Sequence, residues 1–209
     1  MVTFRKHLIV LLPLLLTLLC IGNAFSMAEL NGGFKYSKHV YGSNKESSLT
    51  SRTYSGSMAI YFFSTTGIEF NYSHNDEILT QNERVLIEPG LYIVSIQNRV
   101  KTKTYGAGLR QMLASRKAMI TPVVSAGYAR QIKSSITDYT FEAVGERILY
   151  KVNNPREQSN AMFGTFMLKI NITKLIAITG SVKTVFSAND YNDIKNNLEY
   201  EAGISWVLP

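Results

Sequence analysis

Of the chain's three histidines, His39 and His74 lie outside the apolar N-terminal segment, and each has a serine close by. Ser37 precedes His39 by two residues, and Ser73 adjoins His74. A serine nucleophile needs its base within hydrogen-bond reach. On a strand, residues two apart share a face and neighbours point to opposite faces. Ser37 and His39 can therefore meet, whereas Ser73 and His74 cannot. The Ser37–His39 face is predicted to turn away from lipid, which makes the pair polar lining. Metal chemistry has less to stand on, because two separated histidines and the single Cys20 form no ligand cluster. The group Asp190, Asn192 and Asp193 reads as a polar loop. No enzyme activity, cofactor or metal is expected.

Other charged residues are informative through their spacing. Lys35, Glu69, Arg110, Lys169, Lys183, Glu199 and Glu201 sit in stretches that alternate polar and apolar residues. Such alternation gives a β-strand one apolar and one polar face. Eight stretches carry it: 31–42, 53–63, one starting at 67, 101–113, 118–133, 160–172, 175–186 and 197–208. The links between them run long, short, long, short, long, short, long. Residues 64–67, 114–117 and 173–174 are the short ones. Two long links contain apolar runs of their own. Residues 91–96 are expected to extend the neighbouring strands as a hairpin, and residues 140–152 to form a hairpin or a short helix. Pro122 has no N–H to give a ladder and predicts a bulge or kink.

A soluble sandwich or a lipocalin-like barrel also alternates, with its apolar face buried. The seven charges share their face with Gly106, Gly108 and Gly203, and a soluble core does not bury so many charges. The expected fold is therefore all-β: an eight-stranded antiparallel up-and-down transmembrane β-barrel, apolar outside and polar inside. Eight strands leave an interior just wide enough for side chains. The inward charges, Glu69, Arg110, Lys183 and Glu201 among them, are expected to pair into a network that fills the lumen.

The 209 residues suit one domain and a leader. Residues 1–28 read as a signal peptide: a basic start with Arg5 and Lys6, an apolar run at 8–21 too short and too early to span, then small residues. Ser26-Met27-Ala28 fits a cleavage signal and sets the mature start at Glu29, with Gly22-Asn23-Ala24 as second choice. Leu19 is too large for a lipobox before Cys20. Residues 29–209 form the barrel domain, without cysteine and without an apolar run long enough for a helical span. The net charge is +7, and Tyr (12) and Phe (10) are plentiful, as strands and interfacial girdles require. Nothing in the chain resembles a nucleic-acid reading helix, so no nucleic acid partner is expected.

Residues Glu201-Ala202-Gly203-Ile204-Ser205-Trp206-Val207-Leu208 resemble the C-terminal assembly signal of bacterial outer-membrane barrels. The pattern is a polar residue, Gly203 two later, then Trp206 and Leu208 spaced by one. This chain departs from it in the acidic polar position and in Pro209, which follows. Gly33-Phe34-Lys35-Tyr36-Ser37 is similar to the opening strand of small OmpA- and OmpX-like barrels. Gly106-Ala107-Gly108-Leu109-Arg110 and Ser125-Ala126-Gly127-Tyr128 resemble their central hairpin. The resemblance covers essentially all of the mature chain, each motif being weakly specific and their order carrying the match. It implies a Gram-negative outer-membrane protein, exported by the Sec route and inserted by the barrel-assembly machinery, with both termini periplasmic. It does not imply one function. The expected role is structural or surface-interactive (adhesion, envelope integrity), through loops that meet a surface protein or a host or prey partner. A narrow pore for small solutes or ions is second, and a lipid A-modifying enzyme third.

Arg99, Lys101 and Lys103 alternate, so all three point outward near the distal end of their strand. Counting back from a turn at 114–117 sets Arg130 opposite Lys101. A basic patch at this level suits the phosphates of lipopolysaccharide. Snorkelling of long cations at the interface is the other reading.

Overall fold

The structure, a computed structural model, describes residues 27–42, 46–82, 84–143, 145–187 and 198–208. These form ten strands: β1 (Met27–Tyr41), β2 (Ser47–Tyr61), β3 (Thr66–Gln81), β4 (Val85–Glu88), β5 (Leu91–Met112), β6 (Ile120–Ala143), β7 (Glu146–Asn153), β8 (Glu157–Asn171), β9 (Ile176–Ser187) and β10 (Leu198–Leu208). Eight of them close into an antiparallel ring in the order β1-β2-β3-β5-β6-β8-β9-β10. The seam is the pairing of β1 with β10, from Ala28 opposite Leu208 to Phe34 opposite Ala202. Three short turns, at 62–65, 113–119 and 172–175, lie at the same end as the start of β1 and the finish of β10. We call this the turn end and the opposite rim the loop end.

Side-chain direction follows the alternation. Phe34, Tyr54, Phe70, Leu109, Phe166 and Trp206 are exposed on the outer wall. Phe34 packs against Tyr54 and Tyr72 against Tyr105 across neighbouring strands, as tilted ring pairs with centroids 5.2 and 5.1 Å apart. Glu29, Glu69, Arg110, Lys169 and Lys183 are buried inside. A continuous apolar wall around a charged interior is the reverse of a soluble barrel and matches acyl chains as the outer solvent. The chain is a transmembrane β-barrel.

The strands run longer than their alternating cores. β5 and β6 continue as a pair to Leu91 opposite Ala143, well beyond β3, whose pairing stops at Gln81, and β8, whose pairing stops at Glu157. β4 then takes the place of β3 and β7 that of β8. The result is a four-stranded sheet, β4-β5-β6-β7, standing off the loop end. Residues 140–152 thus form a hairpin.

Three expectations are corrected. The first strand begins at Met27, four residues before Asn31, and so includes Glu29. Pro122 causes no bulge, because its pairing with Leu168 stays in register. Its carbonyl accepts from Leu113 N at 2.8 Å, on the side of β5, where ladder pairing ends at Val123. The N of an antiparallel residue points to the same side as its carbonyl, so the missing N–H costs the β6–β8 ladder nothing. The turn between β5 and β6 spans 113–119 and not 114–117. The polar group Asp190, Asn192 and Asp193, Pro209, and most of the leader lie outside the described residues.

Candidate functional site

Near the turn end, the lumen is closed by side chains centred on Glu29. One carboxylate oxygen, Oε1, accepts from Arg110 Nη2 at 3.0 Å and Ser205 Oγ at 2.9 Å. The other, Oε2, accepts from Lys169 Nζ at 2.7 Å and Tyr61 OH at 3.3 Å. Oriented so that its oxygen faces donors, the Asn31 amide accepts from Arg110 Nη1 at 2.9 Å and donates to Glu29 Oε1 at 3.0 Å. The opposite orientation, with the nitrogen toward Ser57, leaves the amide oxygen facing only acceptors. Glu69 pairs with Arg110 Nη1 at 3.6 Å. Two carboxylates thus balance two cations, and Glu29, Tyr61 and Arg110 are each 1% exposed or less. The donors come from β2, β5, β8 and β10, so the first strand holds the ring together from inside. A buried charge persists only when paired and hydrogen-bonded, a condition this plug meets.

Above the plug is a cavity of about 40 Å³, lined by Asn71, Glu201, Lys183 and the hydroxyls of Ser57, Thr165 and Thr179. That is room for about three waters. Asn71 and one oxygen of Glu201 have no protein partner there. Toward the loop end the lumen opens into a polar cup of about 300 Å³, with Lys35, Glu77, Thr104 and Glu199 on its walls. Below the plug, Met27, Arg116 and Lys169 border a pocket of about 50 Å³.

The seven inward charges do not form one network. Glu69, Arg110 and Lys169 join the plug. Lys35 pairs with Glu199 at 3.5 Å in the cup. Glu201 accepts from Ser55 Oγ at 2.8 Å, and Lys183 makes no ion pair among the described residues. The expected grouping of Glu69, Arg110, Lys183 and Glu201 is only partly present: Arg110 pairs with Glu29 and Glu69, while Lys183 and Glu201 line the cavity beside Glu69 with no ion pair to it or to Arg110 among the described residues. Sequence reasoning missed Glu29 by starting the strand too late, although the alternation of Glu29, Asn31, Gly33 and Lys35 with Ala28, Leu30, Gly32 and Phe34 runs through it. Tyr61 was marked by its parity with Ser55, Ser57 and Ala59 in β2.

Gly203 has a local physical role. A Cβ built on it would lie 2.1 Å from the carbonyl oxygen of Gly32, inside the backbone of the seam. Trp206 faces outward beside Leu30, and Leu208 pairs with Ala28 at the start of the seam.

On the outer wall, Arg99, Lys101 and Lys103 are exposed on β5. Arg130 is not opposite Lys101. It faces Tyr105, while Lys101 faces Ser134 on one side and Asp76 on the other. The longer turn moves each partner by four residues. Arg130 is held by Gln158, and Arg99 donates to Gln97 through Nε and Nη2 at 3.1 and 2.6 Å. Arg52, unremarked in the sequence, joins this region across Asp76 and lies over the Tyr36 ring, 5.9 Å from its centroid. His74 faces outward beside Lys103, whereas Ser37 and His39 take the inward parity of β1. No group of three metal-ligating side chains exists among the described residues.

The sequence matches no protein-family model. No curated protein matches it. Among solved structures, the chain is similar to the N-terminal β-barrel domain of Pseudomonas aeruginosa OprF, with 14% identity, 88% of this chain and 98% of that chain covered, and a TM-score of 0.45. It is similar to Ail, the attachment invasion locus protein of Yersinia pestis, at 11% identity over 88% and 99% of the two chains, TM-score 0.46. It is also similar to the Neisserial surface protein NspA, at 11% identity over 86% and 96%, TM-score 0.43. Closed strand pairing and inverted polarity, read from this chain itself, make it an eight-stranded transmembrane barrel.

Proposed function

We propose that this chain is an outer-membrane anchor that presents a binding sheet to a partner outside the cell. It is exported by the Sec route and assembled by the barrel-assembly machinery, with its turn end in the periplasm. The observation that carries the reading is the β4-β5-β6-β7 extension. Its edge strand β7 exposes Ile148, Leu149 and Tyr150 in succession, two on one face and one on the other. Unpaired edges with apolar side chains are a template for another chain, and soluble proteins normally blunt them. The polar plug opposes the pore reading, because Glu29, Tyr61 and Arg110, each 1% exposed or less, occupy the lumen at this level. The lipid A-modifying reading loses its Ser37–His39 pair to the inner face and its Ser73–His74 pair to opposite faces.

Cells producing the protein should bind a host or prey surface better than cells lacking it. Ile148→Lys with Tyr150→Lys should lower that binding several-fold while the heat-dependent gel shift of the barrel stays intact. Equal binding by the variant, or none by the parent, would refute the reading. Lipopolysaccharide is the second proposed partner, through Arg52, Lys101 and Lys103, which rise just above the outward tyrosines, with Arg99 beyond them. Lys101→Glu with Lys103→Glu should reduce the lipopolysaccharide that co-purifies. An unchanged amount would reject this contact.

A further inference from the structure

We propose that signal peptidase cuts after Ala24, so that the mature chain begins at Phe25 and not at Glu29. This rests on the export reading above. Both Gly22-Asn23-Ala24 and Ser26-Met27-Ala28 present small residues at the two positions that the peptidase reads, so the leader's own chemistry leaves the choice open. The folded barrel decides between them.

Met27 and Ala28 belong to the sheet. Met27 lies opposite Tyr61, and Ala28 lies opposite Ile60 on one side and Leu208 on the other. The Met27 side chain turns inward and packs against the cluster of Ala59, Tyr61, Met112 and Val123 that seals the turn end. Its sulfur lies 3.4 Å from Arg116 Nη1, and the same guanidinium sits over the Tyr61 ring at 4.9 Å. A cut after Ala28 would strip this cover from the plug. It would also make Glu29, the acceptor of every donor in the plug, the terminal residue of the chain.

Two consequences of that cut oppose it. Chain ends fray unless tied down, and the carboxylate on which four strands converge would hang from the first residue. The new α-ammonium would also add a positive charge to a site where Glu29 and Glu69 already balance Arg110 and Lys169. A cut after Ala24 leaves Met27, Ala28 and the charge balance intact.

The folded protein, isolated from outer membranes by its heat-dependent mobility, should give Phe25 as its first residue by N-terminal sequencing and intact mass. A start at Glu29 would overturn this site while leaving the export reading standing. A chain still beginning at Met1 would overturn both. As a second measurement, Ala24→Leu should raise the unprocessed fraction at least tenfold. Ala28→Leu, an outward position where a larger apolar side chain meets lipid, should be processed like the parent. The reverse pattern would also reject the proposal.

Discussion

Replacing Glu29 with Gln keeps the shape of the plug and removes one charge. The cluster then holds Glu69 against Arg110 and Lys169, a net charge of +1, where the side chains of Arg110 and Lys169 are 1% and 4% exposed. Removing one partner of a buried ion pair costs about 3–5 kcal/mol, because the other charge is left uncompensated. Gln retains one oxygen for Lys169 or Arg110, so the low end applies: about 3 kcal/mol, roughly a hundredfold in the folded-to-unfolded ratio. The assay is denaturant unfolding and refolding of the barrel in phospholipid vesicles, followed by gel mobility and by fluorescence of Trp206, the single tryptophan. The midpoint should fall with the slope unchanged, since the buried surface is the same. Glu29→Gln combined with Lys169→Met restores neutrality. The pair should therefore cost less than the sum of the single variants, with a coupling of about 1–3 kcal/mol. Glu199→Gln provides the contrast, because its pair with Lys35 is 3.5 Å long and both side chains are part-exposed. It should change stability by less than about 1 kcal/mol. A Glu29→Gln variant as stable as Glu199→Gln, or strictly additive single variants, would refute the idea of a charge-balanced plug.

Gly203→Ala should lower folding yield and stability by about 1–3 kcal/mol, because its Cβ meets backbone at the seam. Gly180→Ala, with nothing within 4 Å of its Cβ, should be neutral in the same gel assay. Cysteine at Phe166 or Ile178 should resist a water-soluble maleimide in intact envelopes, while cysteine at Leu149, 78% exposed on the projecting sheet, should react quickly. Ready labelling at Phe166 would overturn the membrane assignment. In planar bilayers the parent protein should give no resolved conductance steps, and steady steps would show that the plug opens.

The alternation of residue types by itself determined the architecture. A period of two, repeated eight times with unequal links, fixes which side chains share a wall, and charges such as Lys35, Arg110 and Glu199 fix that wall as the inner one. Direction is a local property of the backbone, so it is written in local sequence. Partnership is not. Glu29 meets Lys169 across the whole ring, 140 residues away. That contact depends on the stagger of every intervening strand, including a seven-residue turn that sequence reasoning read as four. The β5–β6 register moved Arg130 away from Lys101, while the β2–β3 and β3–β5 registers set Arg52 and Lys101 on either side of Asp76. Only closure of the barrel, which sums those staggers into one register, decided which inward charges meet, where the lumen is shut, and how far β5 and β6 rise beyond the rim.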